Sequence, residues 1–566
     1  MKATARKVPG LFASLFDYPK YMLMALLSAF VIYFIAYPLF QVLIQSVVVD
    51  GKFSLALHYE VFSRPDNFAA VKNSLIVACA STFFATIFGT LIAFIVVRTD
   101  IPYKSAIKFL FLLPFAIPPL FAAMGWVQLI GPVGYVTRFI QNLFSVGSVP
   151  WNIYSQSGII FVMTVSMYPF VFLIVSGALQ RMDSSLEEVA RISGSSNFQI
   201  MRHITLPLVK TAILAGAVLA FIAAIDNFGI PAVLGMRIRY FVLTTMIYES
   251  LSIPNIPLAT AMSMLLVLLA FIAIYFMRIV EGEAKQYAVI GGKSIRPSVM
   301  RLGAARPFVI GFIAVMLFFF VILPILSLFF TSFIKYFGAP IAWENFSFDN
   351  YTRVLRMRNT GRAIYNSLLL APLAATILIV AASLISYLNV KAKIWGASKL
   401  DTLGMVPYAM PGSVIGVAAL LAWMRPPIGP SLYGTIWILL AAYLMRYMAF
   451  GLRSTRATLQ QIHDSLEESA MTHGASRLRT IKDITFPLLK PGIISGWILI
   501  FLPAFRELTV SILIWSSGSE TIGVLTFLMQ DAGQPQRAAV LASLVMPIIL
   551  ILYTVTELMG GGREKK

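Results

Sequence analysis

The sequence predicts an all-α membrane protein in which about twelve transmembrane helices form two homologous halves. Hydrophobic residues make up 59% of the 566 positions and charged residues only 12%, whereas soluble domains average about 25% charged. The apolar residues lie in long runs, and short motifs of the first half recur in the second. The composition therefore excludes a disordered chain, a disulfide scaffold and an ordinary soluble enzyme.

Twelve runs approach or exceed the roughly 20 apolar residues that a spanning helix needs. The first half contains six of them, at about 21–46, 74–97, 107–130, 157–180, 210–235 and 259–278. The second half contains six more, at about 307–333, 364–388, 402–424, 433–452, 488–515 and 537–558. We number these spans one to twelve in chain order.

Charge orients the spans, because basic residues are retained in cytoplasmic loops. The net charge of +20 lies mainly in the even-numbered connections, the linker after span six and the chain ends. Both termini are therefore predicted to be cytoplasmic, with the lipid bilayer and not nucleic acid as the partner of this basic chain.

One connection departs from the rule. Segment 334–362, placed outside, contains Lys335, Arg353, Arg356, Arg358 and Arg362. It is either a solvated amphipathic segment or a docking surface for an acidic face of an external partner.

An internal repeat relates the two halves. Asn73-Ser-Leu75 recurs as Asn366-Ser-Leu368, and Pro114-Phe-Ala-Ile-Pro118 recurs as Pro407-Tyr-Ala-Met-Pro411, both 293 residues later. Ser185-Leu-Glu-Glu188 recurs 280 residues later as Ser465-Leu-Glu-Glu468. We predict a first half at 1–280, a cytoplasmic linker at 281–306 and a second half at 307–566. Because each half has an even number of spans, both have the same topology.

The loop between the fourth and fifth spans of each half, at 181–209 and 453–489, has the most informative pattern. Serine followed by glutamates is typical of a helix start, and the acids favour a helix N-terminus. Gly194 and Gly474 allow a sharp turn. Pro207 and Pro487 suit the first turn of a following helix. The pattern predicts a short helix, a glycine break and a second short helix at the membrane surface.

This pattern resembles the EAA loop of ABC importer permeases, and the resemblance extends over essentially the whole chain. The resemblance implies the type I importer permease fold, in which this loop couples the membrane subunit to an ATPase. The residues to which the coupling role is carried over are Glu187, Glu188, Ala190, Gly194, Pro207, Glu467, Glu468, Ala470, Gly474 and Pro487. Val189 and Ser469 replace the usual first alanine, and Phe486 replaces a leucine.

The chain lacks an ATPase of its own. Gly291-Gly-Lys-Ser294 is not a phosphate loop, because the position that requires the first glycine is Tyr287. No catalytic constellation is found, so the chain is not expected to be an enzyme or to bind a cofactor. The resemblance implies two copies of a partner ATPase, which bind ATP and Mg²⁺, and an external solute-binding protein. It also implies location in a bacterial inner membrane.

Among importers, the fused arrangement resembles the ferric-iron-type permeases. Three stretches support this: Gly291–Pro297 with Leu302-Gly303, Asp226–Pro231 with Leu234-Gly235, and Phe505–Leu508. Permeases for phosphonate, polyamine, sulfate or thiamin share parts of them, so ferric iron is the leading solute among several. A rival of another class is an ion-coupled secondary transporter, which can also have twelve spans in two parallel repeats.

Charged residues inside spans mark a candidate pathway, because charge is costly in a bilayer. Asp226 and Asn227 in span five match Arg506 and Glu507 in span eleven, 280 residues later. These four residues either line the translocation pathway or its gate, or form a structural ion pair such as Asp226 with Arg506. Arg446 is expected to extend toward the membrane surface, and Gln128 is a weaker pathway candidate. No metal site is expected, because Cys79 is alone and the four histidines lack ligand spacing.

Overall fold

A computed structural model describes residues 11–49, 51–183, 185–253, 255–284, 299–339 and 342–561. Most of them are helical, and the one sheet in these ranges is an antiparallel pair of two-residue strands, Val48–Val49 and Lys52–Phe53. The stretch Gly291–Pro297, most of the predicted linker and the basic C-terminal tail lie outside the described residues.

The α-helices of the first half are Leu11–Val31, Tyr37–Val47, Ala56–Ser63, Pro65–Arg98, Lys104–Ala116, Pro119–Ile130, Tyr135–Phe144, Gln156–Arg181, Ser185–Ile192, Asn197–Ile200, Leu206–Ile225, Gly229–Leu234, Leu243–Ser252 and Ile256–Ala284. Those of the second half are Arg306–Leu317, Leu323–Phe333, Asp349–Arg356, Arg358–Val390, Ala397–Met405, Gly412–Met424, Ile436–Gln461, Asp464–Thr472, Arg477–Thr480, Phe486–Phe505, Ser511–Ile514, Ile522–Asp531 and Pro535–Gly561. Short 3₁₀ helices are Met236–Ile238, Gly303–Ala305, Trp343–Asn345 and Val406–Ala409.

The described part of the chain contains 11 helices long and apolar enough to cross a membrane, or up to 13 if each of two bent pairs is one span. The predicted all-α polytopic fold is therefore confirmed. Spans three and nine are not continuous, however. The first is interrupted between Ala116 and Pro119, and the second is bent by 115° between Ala409 and Gly412. The prolines of the repeated Pro-x-x-x-Pro motif explain the breaks, because proline cannot donate a helical hydrogen bond.

Spans five and eleven are displaced along the sequence from their predicted positions. Their last helices end at Ile225 and Phe505, directly before the charged pairs, and not at 235 and 515. At their beginnings they extend back to Asn197 and Arg477. Hydropathy alone missed both ends, because the apolar residues after the charged pairs form separate short helices, Gly229–Leu234 and Ser511–Ile514.

Within the described residues, four π-helical segments carry the chain through prolines that would otherwise interrupt a helix. They are Ile32–Ala36, Met201–Thr205, Phe318–Ile322 and Ile481–Thr485. In each, the residue directly before the proline donates its N–H to the carbonyl five residues earlier. The wider turn accommodates a residue that has no N–H and whose ring crowds the preceding turn. Pro207 and Pro487 therefore lie inside continuous helices and do not begin new ones.

The chain forms two compact units that do not follow the sequence halves. One unit combines Met1–Ile44, Ser367–Met410 and Ala418–Glu507. The other combines Gln45–Asn366, Pro411–Val417 and Leu508–Lys566. Each unit thus draws on both repeats and carries one of the two predicted coupling loops. The predicted division at 1–280, 281–306 and 307–566 describes the repeat and stays a prediction.

Candidate functional site

The first coupling loop begins with a capped helix and turns at a glycine. The Asp183 carboxylate accepts a hydrogen bond of 3.0 Å from the Ser185 N–H, which satisfies a donor at the start of Ser185–Ile192. Gly194 has a φ of +88°, a left-handed conformation that a residue with a Cβ adopts only at a cost. Ser196 and Gln199 then cap the next helix reciprocally. A short helix is predicted here, but the helix is long because it continues through Met201–Thr205 into Leu206–Ile225.

The second coupling loop repeats this geometry. The ring Nδ1 of His463 accepts a hydrogen bond of 3.3 Å from the Ser465 N–H. Gly474 has a φ of +86°. The Ser476 side chain caps the helix that continues into Phe486–Phe505. The two loops therefore have the same turn and the same continuous second helix, although the residues that cap their first helices differ.

The paired glutamates of each loop have different environments. Glu187 is buried, and its carboxylate accepts a hydrogen bond of 2.6 Å from the Thr205 hydroxyl. Its other oxygen lies 3.3 Å from a guanidinium nitrogen of Arg98, whose side chain is only 2% exposed. Glu188 is exposed. The first acid thus fastens the coupling helix to the end of span two, and the second lies at the surface.

The second loop shares the threonine contact but places its ion pair elsewhere. Thr485 donates a hydrogen bond of 2.5 Å to Glu467. The ammonium of Lys391, at the position equivalent to Arg98, lies 2.7 Å from the Asp464 carboxylate and also donates to the Ile462 carbonyl. Hydrogen bonds from Lys391 and Lys393 hold the pKa of Asp464 below its usual range. The sequence analysis did not predict a role for either threonine, although each lies two positions before the repeated proline, Pro207 or Pro487.

Both coupling helices present apolar side chains at their surfaces. In the first loop Leu186, Val189 and Ile192 are exposed by 53%, 62% and 87%. In the second loop Leu466, Met471 and Leu478 are exposed. Ala190 and Ala470 are half-buried, and Pro207 and Pro487 are exposed. An exposed apolar stripe beside Glu188 or Glu468 is typical of a protein interface.

Asp226 and Asn227 lie in the break that follows Leu206–Ile225, and both bind backbone groups. The Asp226 carboxylate accepts a hydrogen bond of 2.6 Å from the Gly412 N–H, at the start of Gly412–Met424. The Asn227 amide oxygen accepts from the Ile230 N–H, and its carbonyl accepts from the Thr244 hydroxyl, both at 3.0 Å. Asp226 therefore connects the broken span five of one repeat to the broken span nine of the other.

Glu507 lies in the equivalent break after Phe505. Its buried carboxylate accepts a hydrogen bond from the Tyr447 hydroxyl and lies 3.6 Å from the Nε of Arg446. Arg446 was expected to extend toward the membrane surface, but it approaches this carboxylate because a buried charge needs a partner. Neither Tyr447 nor Arg446 was predicted for this site. The alternative of an ion pair between Asp226 and Arg506 stays a prediction.

Gln128 lies in Pro119–Ile130 with 1% of its surface exposed. Neither the oxygen nor the nitrogen of its side-chain amide forms a hydrogen bond with the described residues, which is costly for a buried side chain. In the same described ranges, no group of three or more His, Cys, Asp or Glu side chains could hold a metal ion.

Comparison with known proteins identifies the class. Residues 85–286 match the family described as "Binding-protein-dependent transport system inner membrane component". This region includes the first coupling loop and Asp226. Over these residues the chain therefore has the membrane component of an ABC importer.

More narrowly, the chain resembles fused ferric-type permeases over almost its whole length. It is 27% identical over 562 residues to the "Ferric transport system permease protein FbpB" of Actinobacillus pleuropneumoniae, covering 97% of this chain and 80% of that protein. It is 28% identical over 501 residues to the "Putative ferric transport system permease protein FbpB 1" of Haemophilus influenzae, covering 87% and 77%. A shorter match, 25% identical over 235 residues, is to the sulfate permease CysT of Salmonella typhimurium, covering 41% and 83%.

Proposed function

We propose that this permease imports ferric iron, delivered by an external binding protein and driven by two copies of a partner ATPase. The single observation that supports iron is the similarity to ferric permeases along 97% of the chain. The shorter similarity to a sulfate permease keeps an oxyanion as the second candidate, because Arg506 could serve an anion. The chain lies in the bacterial inner membrane with both termini in the cytoplasm.

The coupling loops contact the ATPase through their exposed surfaces. Glu188 and Glu468 lie beside exposed apolar residues, so each helix offers an apolar contact and an acid. Glu187, which is buried, and Glu467, which is half-buried, serve a different purpose: each fastens its helix to a threonine of the fifth or eleventh span. A movement of the partner is therefore transmitted to these spans. ATP and Mg²⁺ are bound by the partner.

The charged breaks act as a gate in the pathway. Asp226 holds the start of Gly412–Met424, and Glu507 holds Tyr447 and Arg446 of the preceding span. Spans five and eleven each continue from a coupling loop. The first contact joins the end of span five to span nine, and the second joins the end of span eleven to span ten. Alternating access proceeds by rigid-body movement of such elements, and the contacts at these breaks change as they move.

Transport in proteoliposomes tests the proposal. The permease is reconstituted with its ATPase and binding protein, ATP is enclosed, and uptake of radioactive ferric iron is compared with uptake of radioactive sulfate and molybdate. We expect ATP-dependent uptake of iron only. Uptake of an oxyanion would show that the solute is an oxyanion and not ferric iron. Uptake driven by an ion gradient without ATP would contradict the importer mechanism. Gly474→Pro and Glu468→Lys should lower uptake while the membrane complex remains folded.

A further inference from the structure

The connection between spans seven and eight has an unusual charge for its position. Residues 335–362 contain five basic residues and two acidic ones, a net charge of +3. The equivalent segment of the first half, 42–69, contains two basic and three acidic residues, a net charge of −1. Topology does not require this difference, because the rule on positive loops concerns the cytoplasmic side. The basic charge therefore needs another explanation.

A short helix, Asp349–Arg356, carries much of this charge, and one of its faces is packed against the protein. The Asn350 amide donates to the Ser332 and Ile334 carbonyls at 3.2 and 2.7 Å. Val354 is fully buried, and the Tyr351 hydroxyl forms a hydrogen bond of 2.8 Å with Ser543. One face of the helix thus packs on the ends of the membrane helices Leu323–Phe333 and Pro535–Gly561.

The arginines lie away from that face. Arg353 and Arg356 are exposed and three residues apart, which makes them neighbours on the helix surface. Arg358 is exposed directly after them. We call these three residues the basic face. Within the described ranges none of the three forms an ion pair, whereas Arg362 lies 3.9 Å from Glu520 and Arg64 of the first half lies 3.0 Å from Glu60.

Large apolar side chains are exposed on the same connection as the basic face. Trp343, Phe348 and Leu355 are exposed by 89%, 71% and 53%. Arginine and aromatic residues together are enriched at the centres of protein interfaces, and charge complementarity there sets the association rate and the orientation of the partner. The basic face points away from the helix ends on which it is packed, so a protein arriving from solution reaches it.

We propose that the basic face is the docking surface for an acidic face of the external solute-binding protein. This inference rests on the outward placement of this connection in the proposed function. The first half offers the equivalent helix, Ala56–Ser63, without an excess of positive charge. The partner therefore meets one basic and one nearly neutral helix, which fixes a single orientation.

The test compares equivalent charge reversals in the two repeats. Arg353→Glu with Arg356→Glu alters the basic face, and Glu60→Arg alters the position equivalent to Arg353 as the matched control. The full-length permease with its ATPase is placed in phosphatidylcholine nanodiscs, and the association rate of its solute-binding protein is measured at several salt concentrations. We expect the double variant to associate at least tenfold more slowly and to lose most of its salt dependence, with Glu60→Arg no slower than the unaltered protein.

Two further measurements separate the possible failures. An unchanged association rate and salt dependence in the double variant would overturn the proposal, and altered retention of phosphatidylglycerol alone would assign the basic face to lipid. Maleimide labelling of Arg356→Cys in a Cys79→Ser chain establishes the side of the membrane. Labelling from outside is expected, whereas labelling only from the cytoplasm would overturn both this proposal and the orientation on which it rests.

Discussion

At the scale of single residues, the two glutamates of each coupling loop have separate duties. The resemblance to the EAA loop implies that both are ATPase-coupling residues. Glu187 is instead buried against Arg98 and Thr205, and only Glu188 is exposed. Adjacent residues on a helix point about 100° apart, so the sequence could not determine which acid faces the protein until the helix was placed.

This division predicts different outcomes for two neighbouring substitutions. Glu187→Gln keeps an acceptor for Thr205 but removes the charge beside the buried Arg98, and breaking a buried pair costs about 3–5 kcal/mol. We expect a clear fall in the melting temperature of the purified permease. Glu188→Gln should leave the melting temperature unchanged and lower ATP-driven transport. Glu467→Gln, the matched change in the second loop, should destabilise less because Lys391 pairs with Asp464 there. Equal losses at both loops would contradict the assignment.

Asp226 allows its two predicted roles to be distinguished. Its carboxylate accepts the hydrogen bond from the Gly412 N–H, and an asparagine can still accept this bond while an alanine cannot. We expect Asp226→Asn to keep the melting temperature and lose uptake, because the pathway needs the charge. Asp226→Ala should also lose stability, by about 1–3 kcal/mol. If Asp226→Asn transported normally, the residue would serve only as a helix cap.

At the scale of elements, the sequence predicts what proline and glycine do locally but not how the chain compensates. Gly194 and Gly474 occupy the left-handed turns that the pattern indicates. Pro207 and Pro487 were expected to begin helices, yet each lies two residues after a π-helical segment inside a longer one. A π turn depends on the packing of the whole helix and has no residue signature of its own, so the extent of spans five and eleven could not be read from hydropathy.

The glycine turn gives an element-scale prediction. A Cβ added at Gly474 would meet no atom within 4 Å, so only the left-handed backbone opposes substitution, at a cost of about 1–2 kcal/mol for an ordinary residue. Gly474→Ala should therefore weaken the loop and uncouple ATP hydrolysis from transport, and Gly474→Asn should be milder because asparagine tolerates this conformation. The ratio of transported solute to hydrolysed ATP measures the effect. Equal ratios for the two variants would show that the turn does not depend on backbone conformation.

At the scale of the whole molecule, the repeat was visible in the sequence and its packing was not. Equivalent motifs 293 and 280 residues apart predict two halves, but each compact unit combines segments of both. Motif spacing reports descent by duplication, whereas packing depends on which apolar faces meet. In one unit the Tyr33 hydroxyl reaches the Ile428 carbonyl at 3.0 Å, and in the other the Ser327 hydroxyl reaches the Gly125 carbonyl at 3.0 Å.

This exchange of first spans predicts how a divided chain behaves. A cut between 284 and 299 separates the repeats but leaves Leu11–Val31 without the second-half helices of its unit, and Leu323–Phe333 without Pro119–Ile130. A Cβ added at Gly125 would lie 2.6 Å from the Pro324 carbonyl oxygen. The contact between Pro119–Ile130 and Leu323–Phe333 is therefore too close to be replaced by lipid. We expect each half expressed alone to aggregate in detergent, and the two halves expressed together to co-purify through a tag on one. Halves that were separately monodisperse, with melting temperatures equal to that of the intact chain, would show that the repeats are independent folding units.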